Sequence, residues 1–271
     1  MEPIGIFDSG YGGLTILKDI QEELPEYDYL YLGDNARAPY GPRSFDVVYE
    51  YTLQAVQELF DRGCHLVILA CNTASAKALR TIQQKDLAQL DPNKRVLGVI
   101  RPSTELLGEL TTSGSVGILA TEGTVRSESY VIELQKYSPQ TKVSQQACPL
   151  WVPLIENDEY DSEAGHAFIQ HDVEELMSKD ENIDTILLGC THFPILREYI
   201  QSILPEHIQI IEQGKIVAKS LRKYLERHPE IERNFTKNKN LQFLTTENAT
   251  SFAEYASTFM NREIHVDHIG L

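Results

Sequence analysis

Cysteine is scarce in this chain, and long apolar runs and an excess of positive charge are absent. Four cysteines scattered over 271 residues are too few for a disulfide framework. No apolar run approaches the ~18 residues of a membrane-spanning helix. The N-terminus shows no basic segment followed by an apolar stretch, which a signal peptide requires. We therefore expect a cytoplasmic protein whose thiols are free.

The charge balance argues against a nucleic-acid partner. The chain has 40 acidic and 24 basic residues, which gives a formal net charge of -16. A field of that sign repels a phosphate backbone unless a basic patch overrides it. Only short basic clusters are present, such as Lys94 with Arg95. We therefore expect no nucleic-acid partner.

Short apolar runs alternate with longer amphipathic stretches along the whole chain. Helical periodicity is clear at 48–60 and 168–177. The apolar runs predict strands at 4–7, 29–32, 66–70, 95–100, 116–120, 185–188 and 208–211, with late strands at 241–244 and 264–266. Such alternation predicts an α/β fold. We expect two pseudo-symmetric lobes with mainly parallel sheets flanked by helices, and an active site in the cleft between them.

The order and spacing of these predicted strands and helices also predict the boundary between the lobes. A length of 271 residues agrees with roughly two domains. We assign residues 1–100 to the first α/β lobe and residues 101–207 to the second. Residues 208–271 return to strand and helix patterns without a fresh start, and we expect them to fold back onto the first lobe.

Two segments in different predicted lobes share one pattern. Residues 67–73 read VILACNT and residues 186–192 read ILLGCTH, each an apolar strand followed by a cysteine and polar residues that open a helix. Ligands of open α/β sheets bind at the carboxyl ends of strands, beside helix N-termini that lower the pKa of a thiol. One buried cysteine is usually a packing residue, but two in matched contexts place Cys71 and Cys190 in an active site. Cys64 and Cys148 lack this setting and are expected to be packing residues.

Two turns that follow other predicted strands are further site candidates. Residues 8–13 (DSGYGG) precede a helix expected at about Leu14, and their glycines let the backbone approach an anion. The segment matches neither the P-loop nor the dinucleotide fingerprint, so a carboxylate is the expected anion. Asp8 taken alone fits a helix cap equally well. Residues 33–41 (GDNARAPYG) are typical of a binding loop or of an ordinary polar loop.

His192 lies two residues beyond Cys190. It can form a nucleophilic pair with the thiol or poise it for proton transfer, and a histidine that caps or packs explains the position equally well. The remaining histidines are not grouped at metal-ligand spacing. We therefore expect no metal, and no lysine stands out as a ligand of pyridoxal phosphate.

Four motifs together resemble the glutamate racemase family of the aspartate/glutamate racemase superfamily. They are GIFDSG at 5–10, DNARAPYG at 34–41, ACNTAS at 70–75 and LGCTHFP at 188–194. Their order and spacing match along nearly the whole chain, and the 34–41 loop is similar to the glutamate branch in particular. The resemblance implies a homodimer that interconverts L- and D-glutamate without a cofactor and supplies D-glutamate for peptidoglycan synthesis.

The resemblance also implies roles for individual residues. Cys71 takes the α-proton from D-glutamate and Cys190 takes it from L-glutamate, so that each thiol serves one face of the α-carbon. Asp8 assists Cys71, and His192 assists Cys190. The residues that the resemblance assigns to substrate binding are Asp8, Ser9, Tyr40, Gly41, Asn72, Thr73, Thr121, Thr124, Glu156, Thr191 and His192.

Two alternatives remain open at this point. An aspartate racemase, or another isomerase with a cysteine pair, would use the same scaffold for a substrate one methylene shorter. A cysteine amidohydrolase would use Cys190 and His192 as a nucleophilic pair, which leaves the Cys71 motif without a role. Arg101 before Pro102, and EQG at 212–214 in place of an aspartate-led turn, depart from the family pattern and bear on lobe closure or dimer contacts.

Overall fold

Two parallel sheets form the framework of the molecule. The structure is a computed structural model that describes residues 2–260 and 262–271, and within those residues every helix is too short or too polar to cross a membrane. In chain order the strands are β1 (Ile4–Asp8), β2 (Tyr29–Gly33), β3 (Leu66–Leu69), β4 (Arg95–Gly98), β5 (Ser115–Ala120), β6 (Lys142–Ala147), β7 (Thr185–Gly189), β8 (Gln209–Ile211), β9 (Leu241–Thr245) and β10 (Val266–His268).

Helices connect these strands. They are α1 (Leu14–Glu23), α2 (Phe45–Asp61), α3 (Asn72–Lys77), α4 (Leu79–Thr81), α5 (Leu87–Leu90), α6 (Ile100–Leu110), α7 (Glu122–Arg126), α8 (Ser129–Tyr137), α9 (Trp151–Glu156), α10 (Glu163–Lys179), α11 (Arg197–Ile203), α12 (Gly214–Arg227), α13 (Pro229–Glu232) and α14 (Ala249–Met260). Short 3₁₀ turns lie at Asn35–Arg37 and Phe193–Leu196, and a π-helical turn at Ile82–Asp86 joins α4 to α5.

The two sheets repeat one strand order. The first sheet runs β10-β9-β2-β1-β3-β4 and the second runs β6-β5-β7-β8, and all pairs are parallel. The block β2-β1-β3-β4 therefore corresponds to β6-β5-β7-β8, with β1 equivalent to β5 and β3 equivalent to β7. This correspondence confirms the predicted pair of pseudo-symmetric α/β lobes.

Apolar side chains cover both faces of each sheet, as a parallel sheet flanked by helices requires. Along β1, Ile4 and Ile6 face one core with α1 while Phe7 faces the other core with α3. Along β7, Ile186 and Leu188 face one core and Leu187 the other. The helices after β1 and β3 thus lie on opposite faces, and the order in which the chain adds strands to the sheet reverses between these parallel neighbours.

The strand predictions agree closely with the structure, apart from one strand that they missed. Strand β6 reads KVSQQA, an edge strand with partly exposed polar side chains that lacks the apolar run on which the predictions relied.

Strand β8 lies within the tail assigned to the first lobe but pairs with β7 in the second sheet. Beyond β8, helix α12 packs on the first core and β9 and β10 extend the first sheet. The exact division of the chain into lobes stays a prediction.

Candidate active site

The strand order brings the predicted site residues to two equivalent places. Asp8 ends β1 and Cys71 follows β3, while Thr121 follows β5 and Cys190 follows β7. In each sheet these two strands are neighbours whose following helices pack on opposite faces. Such a switch point leaves a crevice at the carboxyl ends of the strands, which is where α/β proteins bind ligands.

Cys71 is the N-cap of α3. Its sulfur accepts a hydrogen bond from the backbone N–H of Ala74 at 3.4 Å and lies 3.4 Å from the hydroxyl of Ser9. Burial and the nearby carboxylate of Asp8 nevertheless raise the pKa of the Cys71 thiol to about 12, against the opposing effect of these hydrogen bonds. The N–H of Ala74 at the helix N-terminus lowers the pKa of Cys71 as expected, but this effect is outweighed because the thiol is almost fully removed from water.

Asp8 lies next to this thiol and is completely buried. One carboxylate oxygen accepts a hydrogen bond from the N–H of Gly10 at 2.9 Å, and the hydroxyl of Tyr31 donates to the carbonyl of Gly10 at 2.9 Å. Burial raises the pKa of Asp8, although the charge of His192 acts in the opposite direction. The predicted start of α1 at Leu14 is confirmed.

Cys190, His192 and Glu156 form a chain of polar contacts on the second lobe. The Cys190 sulfur lies 3.9 Å from His192 Nδ1, and His192 Nε2 lies 3.0 Å from Glu156 Oε1. Burial alone would lower the pKa of His192, but the contacts with Cys190 and Glu156 raise it to about 10. The imidazole is therefore protonated at neutral pH, and a cation beside a sulfur stabilises the thiolate.

The two lobes meet closely between these thiols. The hydroxyl of Thr191 lies 3.5 Å from Asp8 Oδ1, which joins the segment after β7 to the end of β1. A Cβ atom at Gly12 would lie 2.4 Å from Thr191 Oγ1 and 2.6 Å from His192 Nδ1. Only glycine permits this approach, so residues 8–13 serve contact between the lobes as well as a tight turn.

Three threonine hydroxyls also span the lobes. Thr73 Oγ1 lies 2.9 Å from Thr121 Oγ1, which lies 3.0 Å from Thr124 Oγ1. Thr73 belongs to α3, whereas Thr121 caps α7. The structure thus brings together three of the side chains that the sequence assigned to substrate binding.

The 34–41 loop is held by a buried carboxylate. Asp34 accepts hydrogen bonds from the Tyr40 hydroxyl, from Arg37 Nε at 2.6 Å and from Thr246 Oγ1 at 2.8 Å. A Cβ atom at Gly41 would lie 3.2 Å from the Cβ of Thr121, so the end of the loop reaches the second lobe. The hydroxyl of Tyr40 donates to Asp34, so it holds the loop together.

Asn72 is in contact with two residues that the sequence did not predict. Tyr130 donates to its side-chain oxygen at 2.7 Å, and its Nδ2 donates to Gln213 at 2.8 Å. Tyr130 belongs to no recognisable motif. Gln213 lies in the EQG segment that departs from the family pattern. This departure is the feature of the sequence that could have pointed to Gln213.

A cavity of about 460 Å³ opens beside the second thiol. Cys190, Thr191 and His192 lie in its wall together with Tyr11 and Thr15 from the first lobe. Cys64 is buried in the core that contains Phe7, and Cys148 is buried in the core that contains Ile186 and Leu188. In the part of the chain that the structure describes, no group of three or more histidine, cysteine or acidic side chains is arranged to bind a metal ion.

Comparison with known proteins places this geometry in one family. The model of the Asp/Glu/hydantoin racemase family matches residues 9–221. A glutamate racemase from Ruegeria sp. is 41% identical over 271 residues, which cover 96% of this chain and 97% of that protein. One from Streptococcus suis is 36% identical over 271 residues, covering 99% of this chain and 98% of that protein.

Solved structures give the same result. A glutamate racemase isoform from Bacillus anthracis superposes with a TM-score of 0.90 at 34% identity, covering 100% of this chain and 98% of its own. A glutamate racemase from Francisella tularensis in complex with D-glutamate has a TM-score of 0.84 at 31% identity, covering 100% of this chain and 97% of its own.

Proposed function

The chain belongs to the Asp/Glu/hydantoin racemase family and is a glutamate racemase, an isomerase, and we propose that Cys71 and Cys190 are its two bases. The observation that carries this proposal is their equivalent placement after β3 and β7, at the switch points of two lobes that meet. Inversion of an α-carbon needs one group on each face, and a pseudo-symmetric cleft supplies it. An amidohydrolase needs only one cysteine.

Proton transfer begins with different thiols for the two enantiomers. With L-glutamate, the Cys190 thiolate removes the α-proton, and the thiol of Cys71 donates its proton to the opposite face to give D-glutamate. Cys190 is then the thiol and Cys71 the thiolate, so the reverse reaction starts from the product state. The high pKa of Cys71 supports its role as the proton donor in this direction, and His192 lies beside the sulfur of Cys190 to stabilise a thiolate there.

The acidity of the α-proton is too low for a thiolate to overcome unaided. Fixed hydrogen-bond donors must stabilise the negative charge that develops in the transition state, in a cleft that excludes water. We assign both the stabilisation of this charge and the binding of the substrate carboxylates and amino group to one set of residues. They are Ser9 with its turn, the backbone at Tyr40 and Gly41, and the residues Asn72, Thr73, Thr121, Thr124 and Thr191. Asp8 and Glu156 act through Cys71 and His192 respectively.

The cellular role and the assembly are part of the same proposal. We infer that the enzyme needs neither metal nor organic cofactor, acts as a cytoplasmic homodimer and supplies D-glutamate for peptidoglycan. Aspartate is the second candidate substrate. The relatives named glutamate racemase at 36–41% identity favour glutamate.

Proton NMR of L-glutamate in deuterated buffer, without added metal or pyridoxal phosphate, tests the proposal. We expect the α-proton signal to disappear while D-glutamate accumulates, and Cys71→Ala and Cys190→Ala to lose about 10²–10⁴-fold in rate or more. Full activity of either variant in both directions would refute the two-base assignment. Washout with L-aspartate alone would move the enzyme to the aspartate branch.

A further inference from the structure

Asn72, Gln213 and Tyr130 form a closed ring of hydrogen bonds beside Cys71. Asn72 Nδ2 donates to Gln213 Oε1 at 2.8 Å, Gln213 Nε2 donates to the Tyr130 hydroxyl at 2.9 Å, and that hydroxyl donates to Asn72 Oδ1 at 2.7 Å. Each side chain donates once and accepts once within the ring. Asn72 and Gln213 are buried, and Tyr130 is completely buried, so water does not compete for these bonds.

Ser103 and the backbone at Val99 fix the direction of the ring. The Ser103 hydroxyl donates its only proton to the carbonyl of Val99 at 2.9 Å, so its oxygen must accept from Gln213 Nε2 at 2.8 Å. Gln213 therefore turns its amide nitrogen toward Ser103 and Tyr130. Tyr130 can then only donate to Asn72, and burial raises the pKa of Tyr130, which keeps that proton in place.

The ring joins the places where the chain passes between the two sheets. Val99 and Ser103 belong to the passage from β4 through α6 to β5. Gln213 lies in the return passage between β8 and α12. Tyr130 is on α8 of the second lobe, and Asn72 directly follows Cys71 in the first. The orientation of one amide beside the catalytic thiol is thus tied to the relative position of the lobes.

We propose that Gln213 and Tyr130 are positioning residues, which hold the Asn72 amide in the one orientation that presents a donor to the substrate. This inference rests on the proposed function. The amide group carries two protons, and the ring uses one of them, which leaves the second Nδ2–H for an acceptor on glutamate. Rotation of the amide by 180° would replace that donor with an acceptor and repel a carboxylate.

Steady-state kinetics of Tyr130→Phe, Gln213→Met and the double variant test the ring. Each single change removes buried hydrogen-bond partners without a large change of volume. We expect KM for both glutamate enantiomers to rise about tenfold in each single variant, with a smaller fall in kcat. The double variant should lose less kcat/KM than the product of the two single losses, because the ring is already open in either one.

Tyr29→Phe is the matched control. It removes a buried tyrosine hydroxyl that donates to the Leu24 carbonyl at 2.6 Å, in the first core and away from the thiols. We expect it to lower the melting temperature by a similar amount and to leave KM within twofold of wild type.

Three results would refute the positioning role of Gln213 and Tyr130. They are an unchanged KM in the single variants, losses of kcat/KM that multiply in the double variant, or a KM that rises equally in Tyr29→Phe. Failure of the proposed function looks different, because wild-type enzyme would then not racemise glutamate in the same assay. Binding of D-glutamate by calorimetry gives a second readout in which the ring variants should bind about tenfold more weakly.

Discussion

Replacing Glu156 by glutamine tests the electrostatics of the second thiol. Glu156 Oε1 lies 3.0 Å from His192 Nε2, and this contact helps to hold the pKa of His192 at about 10. Glutamine keeps the shape and can still accept a hydrogen bond, but it loses the charge. The imidazolium still donates a hydrogen bond to glutamine, so the change removes the attraction between opposite charges. A neighbouring opposite charge typically shifts a pKa by about 1–3 units, so loss of the carboxylate charge should lower the pKa of His192 by roughly one unit.

We expect the rate of L-to-D conversion to fall as pH rises through the pKa of His192, and this alkaline limb to lie roughly one pH unit lower in Glu156→Gln. Circular dichroism of the glutamate pool between pH 7 and 11 measures both profiles. Glu206→Gln, an equal charge change at an exposed residue, should follow the wild-type profile. An alkaline limb that does not move, or an equal loss of rate at every pH, would refute the assignment of His192 as the protonated partner.

The pH dependence of the melting temperature is an independent test of the raised pKa of His192. Because the pKa of His192 is raised from 6.5 to about 10, its contacts stabilise the fold fully below pH 6.5 and lose this contribution as pH rises through 10. The melting temperature of Glu156→Gln should therefore lie furthest below that of wild type at about pH 6.5, where the contribution of His192 is complete. The two should converge above pH 10, and a constant difference would contradict the linkage.

Two further predictions concern the first lobe. Gly12→Ala places a Cβ atom 2.4 Å from Thr191 Oγ1, so we expect kcat/KM to fall about 10–100-fold as the lobes separate, and an unchanged value would show that the contact is dispensable. The pKa of Cys71 is about 12, so alkylation of this thiol by iodoacetamide in the free enzyme should be slow at pH 8 and much faster at pH 11. Peptide mass spectrometry measures the modified fraction, and rapid labelling at pH 8 would contradict the high pKa.

The sequence determines the local elements because their signals are short-range. The apolar runs predict nine of the strands found among the described residues, and the segments after β1, β2, β3, β5 and β7 carry most of the predicted site residues. The repeated pattern around Cys71 and Cys190 predicts two equivalent positions. The search for apolar runs misses strand β6, because an edge strand buries less apolar surface and needs no apolar run.

The tertiary structure decides the quantities that depend on distant neighbours. The pattern at Cys71 predicts a lowered pKa, whereas burial and Asp8 raise it. The sequence indicates that Gly12 is a turn residue. Only the packing of the lobes shows that Thr191 Oγ1 lies where a Cβ atom at this position would have to be. Gln213 and Tyr130 are 83 residues apart and meet only in the folded molecule. Periodicity and turn chemistry are properties of neighbouring residues, but desolvation, close approach and a closed ring of hydrogen bonds arise only when two lobes are brought together.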